Sequence, residues 1–292
     1  MKRICISIIL LLCALMVSCH THSKDTFSVP VGPYIGQKPP GLIPEVFAPG
    51  IVSKADRDWT GRFTPDMKEY YFTRNNSKTR KSTTIVFKSE NNRWHETVLG
   101  PRMGGAISPD GKTMHSGNKF RERTENGWSE LKSLGSPFEE IPIMVLTVSS
   151  NGTYVFDERT EVGTIRYSRM IDGKRQAPKA FGKQINSGKW TAHPFIAPDE
   201  SYVIWDSERK GGYGESDLYI SFRLQDGSWS GAINLGDKIN TEGPDTGGVV
   251  SPDGKYFFFN RKISSEDSDV FWVDAQVFET LRPKQSIIKR SQ

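Results

Sequence analysis

The chain has 292 residues, a formal net charge of +5, 36% hydrophobic and 25% charged residues, a composition that places it among folded globular proteins and outside the disordered and collagen-like classes. Lys2 and Arg3 belong to the leader, and Arg282, Lys284, Lys289 and Arg290 close the chain. The body between them is therefore close to neutral and lacks the basic face that nucleic-acid binding requires. The three cysteines, Cys5, Cys13 and Cys19, all precede residue 20, which excludes a disulfide framework and a thiolate metal cage from the rest of the chain.

In chain order, Lys2 and Arg3 precede an apolar stretch from Ile4 to Val17, followed by Ser18 and Cys19. At about 14 residues the apolar run is too short for the roughly 20 that span a bilayer, so residues 1–18 read as a signal peptide. Met16-Val17-Ser18-Cys19 resembles a bacterial lipobox, which implies that Cys19 is lipidated and becomes the first mature residue. No Asp stands beside Cys19, which under that resemblance implies outer-membrane delivery. An ordinary signal peptide with Cys19 as a bystander is the alternative. Residues 19–44 are then a lipid-anchored tether and a Pro/Gly-rich lead whose prolines exclude helix. Glu45 to Val52 reads as an isolated strand.

From there a short phrase recurs: Thr64-Pro65-Asp66, Ser108-Pro109-Asp110-Gly111, Ser149-Ser150-Asn151-Gly152, Ala197-Pro198-Asp199 and Ser251-Pro252-Asp253-Gly254. The spacings of roughly 44, 41, 48 and 54 residues are those of propeller or solenoid repeats. Pro presets the turn, Asp or Asn bonds its local backbone, and Gly takes a positive φ. Met67 and Glu200 replace that Gly in two copies, and Ser150-Asn151 replaces Pro-Asp in a third. Each turn is followed by a strand such as Tyr154-Val155-Phe156 or Tyr256-Phe257-Phe258-Phe259, then a second strand such as Leu218-Tyr219-Ile220. A polar hairpin ending in Trp94, Trp128 or Trp229 comes next in three of the repeats, and then a closing strand. Four strands per repeat make one blade of an all-β propeller, with five blades predicted and six as the alternative. The last repeat lacks its closing strand. The segment from Val46 to Val52 is predicted to supply it and to close the ring, because an open sheet edge is an aggregation hazard. Ala275 to Leu281 has the spacing of a short helix packed on the ring. The propeller domain is thus 45–283, with a basic tail at 284–292.

Ser251-Pro252-Asp253-Gly254-Lys255-Tyr256 resembles the WD40-like (PD40) repeat of TolB-type propellers, a resemblance spanning roughly Pro39 to Pro283. Ser207 to Tyr219 and Asn234 to Thr241 are similar to segments of bacterial envelope lipoproteins that carry such repeats. The resemblance implies a scaffold in the envelope, periplasmic or outward-facing, and no single shared activity.

If the Pro-Asp-Gly turns lie on one face, the loops between blades and those between second and third strands crowd the opposite channel mouth. Those loops nominate Trp59, Arg62, Arg74, Trp190, His193, Asp206, Arg209, Glu242, Asp245 and Arg261 as rim residues. Trp faces and planar charged groups suit sugars and carboxylates. The competing expectation is that Arg and Asp pair with each other and stiffen the rim. No Gly-x-Ser-x-Gly elbow and no dinucleotide fingerprint is present in the sequence. No cofactor, metal site or catalytic residue is expected. Two functions remain. One is a noncatalytic binding or assembly scaffold, held to the membrane only by its lipid anchor, for an envelope protein or a glycan. The other is a carbohydrate-active enzyme, a lyase or a glycosidase using acids such as Asp157 and Asp206, with its site at the channel mouth.

Overall fold

The computed structural model describes residues 29–285 apart from Arg102; the signal peptide, Cys19 and the last seven residues lie outside the described residues. The strands pair in sequence order into successive antiparallel blades. Blade 1 is Arg57–Phe63, Glu69–Asn75, Ser82–Glu90 and Arg93–Gly100; blade 4 is Lys189–Ile196, Tyr202–Glu208, Asp217–Phe222 and Ile233–Asn234. Blade 3 is Ile143–Val148, Tyr154–Glu158, Thr164–Ser168 and Lys179–Ala180. Blade 2 is the irregular one, as the polar run after Asp110 predicts, with an inner strand of only Ala106–Ile107 and a second strand of Thr113–Ser116. Blade 5 is built from Asp245–Val250, Tyr256–Lys262 and Ser268–Asp274, with Glu45–Val46 as its outer strand. The architecture is an all-β propeller; among the described residues blades 5 and 1 are continuous through a parallel bridge of Arg57 with Ser268, and blades 2, 3 and 4 are separate sheets.

The recurring turns have one geometry whatever their sequence. In blade 2 the Ser108 hydroxyl donates to Asp110 at 2.6 Å, and the amides of Lys112 and Thr113 donate to Asp110 and Ser108 at 3.0 Å each. Thr64 with Asp66, and Ser251 with Asp253, repeat the pattern. The turn ends in a left-handed residue, Gly111, Gly152 or Gly254 at φ 71°, 76° and 73°, and Met67 and Glu200 occupy the same region at 59°. A non-glycine there is strained. Glu200 offsets this with its side chain, which accepts from the Ser149 hydroxyl at 2.8 Å and pairs with Arg223 at 3.1 Å.

Alternation along the uninterrupted aromatic strands fills the spaces between blades. In blade 5, Phe258 joins the cluster shared with blade 1, while Phe257 and Phe259 join Ile204, Leu218 and Phe222 of blade 4. Both faces of each inner sheet are buried, so period-two polarity is lost and the strands read as continuous apolar runs.

The N-terminal segment pairs with the last blade in the register Glu45 with Trp272 and Val46 with Phe271, and the Phe47 amide donates to Val270 at 2.7 Å. The predicted strand to Val52 is shorter than expected. Ala48 takes φ 43° and residues 48–53 form a turn, because the chain must swing inward to start blade 1 at Arg57. Further upstream, Gly32 donates to Asn92 and Trp94 to Pro30, which fixes the lead against the blade 1 hairpin on the turn face. Ala275–Leu281 is a 3-10 helix capped by Asp274, with Phe278 packed on Tyr202 and Phe257.

Candidate functional site

Four of the inner strands carry a β-bulge within one residue of the same level. Thr60-Gly61, Met144-Val145, His193-Pro194 and Gly247-Gly248 each oppose a single residue of the second strand. A bulge re-aims the side chains beside it and frees amides from the ladder. In blades 3, 4 and 5 those amides are taken up by acids of neighbouring strands, and in blade 1 the Gly61 amide donates to the Tyr70 hydroxyl at 3.1 Å. Asp157 accepts from the amides of Met144 and Val145 in its own blade and from His193 in the next, at 3.0, 2.8 and 2.9 Å. Asp206 accepts from Gly247 of blade 5 at 3.0 Å. Asn260 continues the series toward blade 1 by donating to the carbonyl of Asp58. Asp157 and Asp206, the pair considered for glycosidase work, are 1% and 2% exposed and hold blades together.

Arg74, Arg261 and Arg209 form a second ring. The Nε of Arg74 pairs with Asp58 and that of Arg261 with Asp245, each at 2.7 Å, with both aspartate side chains fully buried. Their other nitrogens cap the carbonyls of Val52 and Ile239. Arg209 caps Ile185 and lies over Trp205 and Tyr219, 4.5 Å from the latter's centroid. These are the mutual pairs that stiffen the rim. Glu242 is exposed at the surface.

Trp59, Trp190, His193 and Arg62 are arranged differently. Trp59 and Trp190 are 39% and 56% exposed, and the Trp59 ring lies 6.4 Å from that of His193. Trp190 and His193 sit at φ 51° and 48° in one bulged strand, whereas blade 5 uses Gly247, at 63°, where His193 stands. Left-handed backbone at bulky residues is strain that clusters at functional sites. Nδ1 of His193 lies 2.7 Å from Asp206, and Nε2 has no hydrogen-bond partner among the described residues. Burial lowers the imidazole's pKa, but Asp206 foremost and then Asp157 outweigh both burial and the opposing charge of Arg62, raising it to about 9. His193 is therefore an imidazolium at neutral pH.

A raised histidine pKa stabilises the fold fully below the unfolded value near 6.5, and that contribution is lost as pH rises through about 9. The wild-type chain is expected to lose stability between pH 7 and 9.5, and His193→Gln to show a flatter profile over that window. Urea midpoints at each pH check this.

Sequence reasoning missed Met144, Val162, Tyr213 and Ile263, which are 40–53% exposed and join the two tryptophans on the mouth face. Single apolar residues in loops carry no period, so no sequence signal marks them. It also missed the opposite end of the channel. There the recurring turns surround a cavity of about 420 Å³ lined by Pro65, Pro109, Pro198 and Pro252 together with Phe195 and Val249, and reached by Arg62.

No family model matches the sequence, and no curated protein matches it. Among solved structures, an endo-arabinase from Bacteroides thetaiotaomicron is 14% identical over 80% of this chain and 96% of its own, with a TM-score of 0.45. A gluconolactonase from Xanthomonas campestris is 10% identical over 83% and 97%, with a TM-score of 0.44. An α-L-arabinofuranosidase from Lactobacillus brevis is 12% identical over 76% and 91%, with a TM-score of 0.43. At these values no residue role passes from any of them to this chain.

Proposed function

We propose that the protein is an exported β-propeller lipoprotein of the TolB-like, PD40-repeat kind, anchored in the bacterial envelope through Cys19. In this reading its channel mouth binds a glycan without turning it over. The observation that carries the reading is the pair of exposed tryptophans, Trp59 and Trp190, beside an imidazolium whose Nε2 is open, in a strand that accepts backbone strain to present them. Aromatic faces stack on sugar rings, and a buried charge beside them orients hydroxyl or carboxylate groups. Asp157, Asp206, Asp58 and Asp245 are taken up by backbone amides and arginines. His193 paired with Asp206 has the outline of a base and its orienter, but a group protonated up to about pH 9 is a donor at neutral pH and not a base.

Residues 30–32 are tied to the turn face, so the lead enters the domain at the end opposite the mouth. A second reading is favoured by Met144, Val162, Tyr213 and Ile263, whose exposure on the mouth face suits docking of an envelope protein.

Titration of the full chain with neutral and acidic oligosaccharides, followed by tryptophan fluorescence, tests the reading. Trp190→Ala is expected to weaken binding tenfold or more, about 1.4 kcal/mol, with an unchanged melting temperature. Shortened oligosaccharides in the same mixtures would convert the assignment to the enzyme alternative. Retention of full affinity by both Trp59→Ala and Trp190→Ala would remove the glycan reading. For the anchor, Cys19→Ser is expected to shift the chain from the membrane to the soluble fraction.

A further inference from the structure

Arg62 stands in the wall between two spaces. One is the turn-face cavity of about 420 Å³; the other is a cavity of about 210 Å³ between blades 1, 2 and 3, lined by Thr60, Arg62, Met144 and His115. Its Nη1 donates to the carbonyls of Thr60 and Gly61 at 3.4 and 3.1 Å. Nε and Nη2 find no acceptor among the described residues, and none of their carboxylates pairs with it. Burial lowers its pKa to about 10, with the nearby Tyr70 hydroxyl opposing the shift. Arg74 and Arg261 have a buried aspartate each, and Arg209 and Arg175 lie over aromatic rings. Arg62 has neither. A half-buried guanidinium that lines a cavity without a counter-charge is a ready seat for a bound anion, which would supply the partner that Arg74 and Arg261 already have.

We propose that the turn-face cavity is a second binding site, distinct from the channel mouth, for a monocarboxylate with an apolar body whose carboxylate seats on Arg62. The walls set the body. Phe195, Val249 and Ile107 line the cavity, and four prolines of the recurring turns surround it. The volume falls in the roughly 300–1,000 Å³ range of small-molecule sites. The charge sets the head group. Arg62 is the one basic residue lining the cavity, and the one acid, Asp199, lies exposed at its edge with the amide and hydroxyl of Ser201 on its Oδ1 at 3.1 and 2.6 Å. A single planar cation with two free donors on a fork matches one carboxylate.

Calorimetric titration of the full chain with octanoate and 4-phenylbutyrate, and with octanamide as the neutral counterpart, tests this. At least one carboxylate is expected to bind ten times or more tighter than octanamide and to raise the melting temperature. Arg62→Met is expected to lose that preference while melting, without ligand, at or above the wild-type temperature, because it removes an unpaired charge. Arg62→Lys retains the preference, and this variant decides if the methionine variant does not fold. Trp190→Ala leaves carboxylate binding unchanged, which separates this site from the one at the mouth. Equal binding of octanoate and octanamide, no binding of either carboxylate, or a preference that survives Arg62→Met would overturn the proposal.

Discussion

Replacing Phe47 by alanine is expected to lower the unfolding free energy by about 3–5 kcal/mol, in the upper range for a single core truncation. Phe47 is fully buried and sits where the N-terminal segment joins the last blade to the first. Its ring packs edge-on against Tyr70, Phe258 and Trp272 at centroid distances of 5.3, 5.0 and 5.1 Å, so both blades lose contacts when it is removed. The space left is walled by large aromatic rings on opposite sides and has little room to collapse, which places the cost high in its range. Val31→Ala in the same N-terminal region, at a side chain 56% exposed, is expected to change stability by less than about 0.5 kcal/mol. Urea unfolding of both variants measures the difference. A loss below about 1 kcal/mol for Phe47→Ala would mean that the N-terminal segment does not hold the two blades together.

Asp58→Ala is the second large effect, expected to cost about 3–5 kcal/mol at neutral pH, because it leaves a buried charge without its partner. The Asp58 side chain is fully buried and that of Arg74 is 13% exposed, and their 2.7 Å contact is joined by a hydrogen bond from the Lys54 amide to Asp58 at 2.9 Å. Burial pushes the Asp58 carboxyl's pKa above its ordinary value, against the pull of Arg74 and that amide. For the Asp58 carboxylate the cost of burial therefore exceeds the attraction of its partners. It follows that removing both partners should hurt less than removing one, and Asp58→Ala with Arg74→Met is expected to recover part of the loss. A double variant as unstable as the sum of the two single ones would show that the two side chains act independently. The Asp245 and Arg261 pair repeats the geometry in blade 5 and serves as an internal replicate.

The paired carboxylates also bear on the function. Asp58, Asp157, Asp206 and Asp245 have the composition of an acidic active site, and in the fold each is committed to an arginine, a histidine or a freed backbone amide. Among the groups left open are His193 and the tryptophans at the mouth and Arg62 toward the turns, together with the exposed Glu242 and with Asp269, whose carboxyl pKa burial raises to about 6.

The repeat was legible because turns and strands are local. Pro, Asp and Gly fix dihedrals within a few residues, and a strand buried on both faces leaves a continuous apolar run, so the blades and their strand order follow from the phrase that begins at Pro65 and ends at Pro252. Even the missing outer strand of blade 5 could be counted from the chain, because sheet arithmetic demands a partner for Ser268–Asp274. The tertiary structure alone decided which polar residues face each other. Sequence placed Asp206 and Arg74 in the same class of rim candidate as Trp190 and Arg62, since all lie near strand ends on one face. The bulges of the inner strands freed an amide for Asp206 and re-aimed His193 and Arg62, while Arg74 met a buried aspartate in its own blade and the tryptophans stayed exposed. A one-residue bulge changes which way every neighbouring side chain points without altering residue type or spacing. Composition and period therefore determined the ring, and register within the ring determined the site.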